Sequence, residues 1–154
     1  PICKEVFISC RPEQEAEMKQ AGHATIADTF LDLGPLGAIL SAFRAQPDKA
    51  WLVIACDLPL LDRKILDFLI SERSVKHTAT TFQSPWDHLP EPLISIWEPK
   101  AYAVLLSFLA QGFSCPRKVL INADAKILQV PDPETLQNVN TPEEMALMKQ
   151  KLGS

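Results

Sequence analysis

Three kinds of site in this sequence could handle a phosphorylated ligand: a carboxylate ending an apolar run, a glycine-flanked loop before a helix, and paired cations beside a helix start. The clearest is Asp57, which follows the run Trp51-Leu-Val-Ile-Ala-Cys56 and precedes Leu58-Pro59. Six residues without polar alternation predict a strand covered on both faces and lying centrally in a sheet. Its carboxyl end would then open on the ligand crevice of an open α/β sheet, where a carboxylate is hydrated enough to stay ionised and to hold a divalent cation. The competing uses of Asp57 are to cap the helix that begins near Asp62 or to sit in the turn with Pro59. Asp62 has the nearer claim on that cap, which favours the ligand reading.

The second feature is Gly34-Pro35-Leu36-Gly37, where backbone amides could approach a ligand with no side chain in the way. It reads equally well as a plain loop with a proline near the first helical position. The third is Ser114-Cys115-Pro116-Arg117-Lys118, in which a helix start and two cations could together meet an anion. Exposed cations of this kind are more often simply solvated. The same holds for His88, which shares a polar, proline-broken loop, Gln83 to Pro92, with Asp87 and Glu91.

The elements that must carry these groups follow from periodicity and punctuation. Cys3 to Cys10 reads as a strand, Glu13 to Ala21 as a helix stopped by Gly22, and His23 to Ile26 as a second strand ending at Asp28. Together they form a parallel strand-helix-strand unit. A loop from Asp28 to Gly37 leads into an apolar helix, Ala38 to Arg44. Asp62 to Glu72 is helical, with Ile65, Leu66, Leu69 and Ile70 on one face. Thr78 to Phe82 and Leu93 to Trp97 are strands, a helix from Glu98-Pro99 runs to Gly112, and Ile127 to Val130 is a further strand. Thr141, Pro142 and Glu144 form a capping box for a last helix to Leu152.

Composition bounds the rest. The 154 residues suit one domain, 1–154, with a real core, and the net charge of -4 comes without the basic stripe of a nucleic-acid binder. No apolar run reaches the length of a membrane span. Cys3, Cys10, Cys56 and Cys115 are scattered, apart from the three histidines, which argues against zinc and suggests a reducing, cytoplasmic setting; Cys56 is read as a small hydrophobe inside its strand.

Taken in order, Asp28, Gly34-Pro35-Leu36-Gly37, Cys56-Asp57-Leu58-Pro59, Glu91-Pro92-Leu93 and Asn138-Val139-Asn140-Thr141-Pro142-Glu143 resemble the molybdenum cofactor guanylyltransferases of the MobA type, over nearly the whole chain. The resemblance implies an α/β, Rossmann-like three-layer nucleotidyltransferase fold with a mostly parallel sheet. It implies transfer of GMP from GTP to molybdopterin with release of pyrophosphate and Mg2+ as cofactor. It makes Asp57 the metal ligand and Asp28 a nucleotide contact, and lays Gly34 to Gly37 along the guanine and ribose. Asn138 and Asn140 would lie by the reacting phosphates and the pterin, where amides orient oxygens without adding negative charge. His88, Arg117 and Lys118 would fall on the pterin side. A related CTP-dependent transferase, or a non-catalytic pterin- or partner-binding remnant, are the alternatives.

One departure matters. The family's opening strand and its Leu-Ala-Gly-Gly-x-Ser-x-Arg-Met-Gly-x-Asp-Lys loop have no counterpart here. A strand, loop and helix of on the order of 45 residues is the expected difference, so the fold is expected to be incomplete at its N-terminus. The expectation is a piece of a longer protein, or a gap filled by another chain or an exchanged element, with this polypeptide inactive alone.

Overall fold

A computed structural model describes residues 2–139, 141, 143, 144 and 146. Strand β1 (Ile8–Cys10), shorter than the Cys3 to Cys10 run read from the sequence, helix α1 (Glu15–Gln20) and strand β2 (Thr25–Ala27) make the expected parallel unit, with Ile8 opposite Thr25 and Cys10 opposite Ala27. Helix α2 (Gly34–Ala45) begins earlier than Ala38, so the Gly34 to Gly37 tetrad forms its first turn and not a loop before it. Pro35 explains the early start: its fixed φ is helical, and it lacks the N–H that a first turn leaves unpaired.

Strand β3 (Trp51–Ile54) leads to helix α3 (Arg63–Ser71), which starts at Asp62. The Asp62 carboxylate accepts the Ile65 N–H at 3.0 Å, so Asp62 supplies the cap and Asp57 is released from that use. Strands β4 (Ala79–Gln83) and β5 (Pro90–Trp97) form a hairpin, followed by α4 (Ala101–Ala110), α5 (Pro116–Asn122) and β6 (Ala125–Gln129). Beyond a 3-10 turn at Pro133–Leu136, the Thr141 hydroxyl accepts the Glu144 N–H at 3.1 Å and the Glu144 carboxylate accepts the Thr141 N–H at 3.2 Å. That is the capping box read from the sequence; Pro142 and the helix it was to open toward Leu152 lie largely outside the described residues.

The larger sheet has the order β3-β5-β4-β6. β3, β4 and β6 point one way and β5 alone runs against them, so the sheet is parallel in direction but paired antiparallel on both sides of β5. Two cores flank it. On one face Leu36, Ile39, Leu40 and Phe43 of α2 pack with Trp97, Leu105 and Val119; on the other Ile65 and Leu69 of α3 pack with Phe82, Ile94 and Leu136. Each fully buried aliphatic side chain contributes roughly 1.5–3 kcal/mol, and together they make the predicted three layers.

One expectation needs correcting. β3 is covered on both faces, by Trp51 and Val53 toward the first core and Leu52 toward the second, but it is not central. It sits at the sheet's edge, only half-buried, with Ile54 41% exposed. Apolar composition reports on the covering of a strand's faces, and says nothing of whether both its edges are paired. β1 and β2 stand apart as a second sheet, joined to the first through α2, which packs on β1, β2 and β3. Along the free edge of β3 runs a groove of about 480 Å³, walled by Val6, Phe7, Trp51, Leu52 and Ile54. Asp28, Asp57 and Asn138 do not line it.

Candidate functional site

The chain leaves β3 through Ala55, whose N–H still reaches the Leu93 carbonyl at 2.8 Å, and then turns at Cys56 and Asp57. Cys56 is therefore exposed in a turn and not packed within the strand, because the ladder ends one residue before it. The turn is tied to a segment far along the chain. The Asp57 carbonyl accepts the Val139 N–H at 3.0 Å, and its Oδ2 accepts the Asn138 Nδ2–H at 3.2 Å. Val139, 7% exposed, and the buried Leu136 before it anchor that segment in the core. The other carboxylate oxygen, Oδ1, is buried and has no hydrogen-bond partner among the described residues. A buried acceptor without a donor costs about 1–3 kcal/mol, and such an atom is a natural place for a cation or a donor to arrive.

Asp28 follows β2. Its N–H donates to the Cys10 carbonyl at 2.9 Å and its Oδ1 accepts the Ser9 hydroxyl at 3.3 Å. Burial pushes its carboxyl above the usual range, against the pull of the Ser9 hydrogen bond. The loop after it is held by Ser41, a residue that sequence reading passed over. Its Oγ, 2% exposed as a residue, accepts the Thr29 N–H at 2.8 Å and donates to the Gly37 carbonyl at 2.7 Å. The signal was a lone hydroxyl on the apolar face of α2.

The two glycines of the tetrad do different things. Gly34 has φ +52 and open space around its missing side chain. A Cβ on Gly37 would meet the Phe30 carbonyl oxygen at 2.3 Å, so this glycine makes room for the protein's own loop. Pro35 is exposed, whereas Leu36 is fully buried in the first core and offers no surface to a ligand.

A third group joins α5 to the β4–β5 hairpin. Arg117 reaches Asp87 at 2.8 Å and Glu91 at 3.1 Å, so its charge is already matched by two carboxylates. The Leu89 amide foremost, and then Ser84 and Arg117, hold the Asp87 carboxyl below its ordinary value. His88 lies exposed in that loop with φ 58, and its carbonyl accepts the Gln83 Nε2–H at 2.8 Å. Lys118 lies over the Phe113 ring at 5.6 Å. Two clusters are thus assembled, Asp57 with Asn138 and Arg117 with the His88 loop. Among the described residues no hydrogen bond joins either cluster to Asp28, and no three of His, Cys, Asp and Glu gather as a metal-binding set. Asn140 lies outside the described residues. No described helix is long and apolar enough to cross a membrane.

The sequence matches the family described as MobA-like NTP transferase domain over residues 1–126. It is 30% identical over 142 residues to a molybdenum cofactor biosynthesis bifunctional protein of Synechocystis, covering 92% of this chain and 41% of that protein. It is 30% identical over 152 residues to a molybdenum cofactor guanylyltransferase of Pseudomonas aeruginosa, covering 95% of this chain and 74% of that one. The chain thus spans less than half the length of the first relative and about three quarters of the second. A solved structure of molybdopterin-guanine dinucleotide biosynthesis protein A from Archaeoglobus fulgidus shares the fold, with a TM-score of 0.77 at 20% identity over 96% of this chain and 78% of that one.

Proposed function

The chain belongs to the MobA-like NTP transferase family, and we propose that it serves molybdenum cofactor guanylyl transfer, moving the GMP part of GTP onto molybdopterin with release of pyrophosphate. The names of its relatives support that choice of substrates. The observation that carries the reading is the Asp57 carboxylate past the end of β3, with one oxygen held by Asn138 and the other buried with no partner among the described residues.

Mg2+ suits this donor set. It binds through one or two carboxylates and completes an octahedron with water and phosphate oxygens, so a single carboxylate beside a neutral amide matches its preference and a histidine or thiolate cluster is not needed. When bound, it would supply positive charge that offsets the negative charge of the phosphates during transfer. Asp57 would hold it, and Asn138 adds no negative charge to an anionic site. Asp28 and the Gly34 turn would face the nucleotide. His88, Lys118 and the loop secured by Arg117 would face the pterin, with Arg117 holding that loop in shape because its own charge is spent on Asp87 and Glu91. The four free cysteines suit a reducing, cytoplasmic setting.

Calorimetric titration with GTP, CTP, ATP and UTP, each with and without Mg2+, tests this. GTP binding that requires Mg2+ and falls at least tenfold in Asp57→Asn is expected. Preference for CTP would move the assignment to a cytidylyl transfer. Nucleotide binding indifferent to both Mg2+ and Asp57 would refute it, and pterin binding with no nucleotide affinity would favour a non-catalytic role.

A further inference from the structure

We infer that Asn138 is a positioning residue, which acts on the reaction by orienting the Asp57 carboxylate and not by touching the cation or the phosphates itself; this rests on the metal role proposed for Asp57. An ionised carboxylate only accepts hydrogen bonds, so the 3.2 Å contact with Asp57 Oδ2 uses the amide nitrogen of Asn138 as donor. The two oxygens of Asp57 are thereby made unlike: Oδ2 is occupied, and Oδ1 is left buried with no partner among the described residues. The terminal torsion of an aspartate is broad and nearly two-fold, so nothing intrinsic to Asp57 would select that orientation.

The backbone supplies the second half of the argument. Asn138 is brought to Asp57 by the neighbouring Val139, whose N–H holds the Asp57 carbonyl at 3.0 Å and whose side chain is buried. That tie survives any change at the Asn138 side chain, which is itself exposed. Losing the amide should therefore disturb the carboxylate and leave the fold intact.

The probe is Mn2+ with GTP, its binding read from the loss of the free Mn2+ electron paramagnetic resonance signal, alongside thermal unfolding of each variant. Asn138→Ala should weaken Mn2+ binding about tenfold, the value of one charge-assisted hydrogen bond, with the melting temperature nearly unchanged. Asn138→Asp should be weaker still, since it removes the donor and sets a second negative charge beside Asp57. On an Asp57→Asn background, Asn138→Ala should change nothing further. Unchanged Mn2+ affinity in Asn138→Ala would overturn the inference, and so would Asn138→Asp binding as tightly as the parent, because a ligand oxygen would then be the role of this side chain. Failure of the unaltered protein to bind Mn2+ with GTP would instead overturn the metal role of Asp57, and this inference with it.

Discussion

Gly37→Ala separates two uses of the tetrad that share one sequence. The added methyl would stand 2.3 Å from the Phe30 carbonyl oxygen and 3.3 Å from the Leu33 Cβ. The first distance is roughly 1 Å short of van der Waals contact, and the obstacle is backbone, which cannot swing aside as a side chain can. Overpacking costs about 1–3 kcal/mol, and a rigid backbone obstacle places this case in the upper part, about 2–3 kcal/mol, offset by about 1 kcal/mol from replacing glycine within a helix. A net loss of about 1–2 kcal/mol lowers the melting temperature by about 2–8 °C in a chain of this size. Gly34→Ala provides the contrast. It meets no atom within 4 Å, and its cost comes from φ +52 alone, about 1–2 kcal/mol; Gly34→Asn should recover much of that loss, because asparagine tolerates the left-handed region. Thermal unfolding of the three variants, each followed by GTP titration, is the assay. Were Gly37→Ala to melt with the parent protein and lose only nucleotide binding, Gly37 would be a ligand-facing residue and the packing argument would be wrong.

Other outcomes follow from single contacts. Glu98, whose side chain is 3% exposed, is held by Arg73 at 2.6 and 2.8 Å. Arg73→Met should destabilise by about 2–3 kcal/mol, below the 3–5 kcal/mol of a fully buried pair because the Arg73 side chain is 40% exposed; adding Glu98→Gln should recover part of it, as urea unfolding would show. Asp62→Ala should cost about 1 kcal/mol through loss of the α3 cap, measurable as a lower urea midpoint. Asp28 binds its proton more tightly folded than unfolded, so its charge works against stability above the folded pKa and ceases to as pH falls below the ordinary carboxylate value. Asp28→Asn should therefore melt higher than the parent near pH 7, with the difference closing as the pH is lowered through the acid range. A gap that widened on acidification would contradict that sign.

What could be read from the residues was what local chemistry decides. The apolar run before Asp57, the Asp62 cap, the Thr141 to Glu144 capping box and the parallel β1–α1–β2 unit all depend on neighbours a few residues away or on one short crossover. Such features are written in spacing, because the backbone groups they satisfy lie within the same turn or unit. The choice of Asp57 as a candidate followed from the same logic, a carboxylate where an apolar strand ends.

Tertiary structure decided everything that required knowing who lies next to whom. Whether β3 sits inside the sheet or at its edge depends on strand partners, which a strand's own composition does not specify; the edge position became visible only in the β3-β5-β4-β6 order. That Gly37 seats the Phe30 carbonyl and that Arg117 clasps two carboxylates depends on partners 7 and 26 to 30 residues away folding onto them. The contact between Asp57 and Asn138 joins residues 81 positions apart. No periodicity reaches that far: residues so separated meet only when the core buries Leu136 and Val139 and brings the segment back to the end of β3.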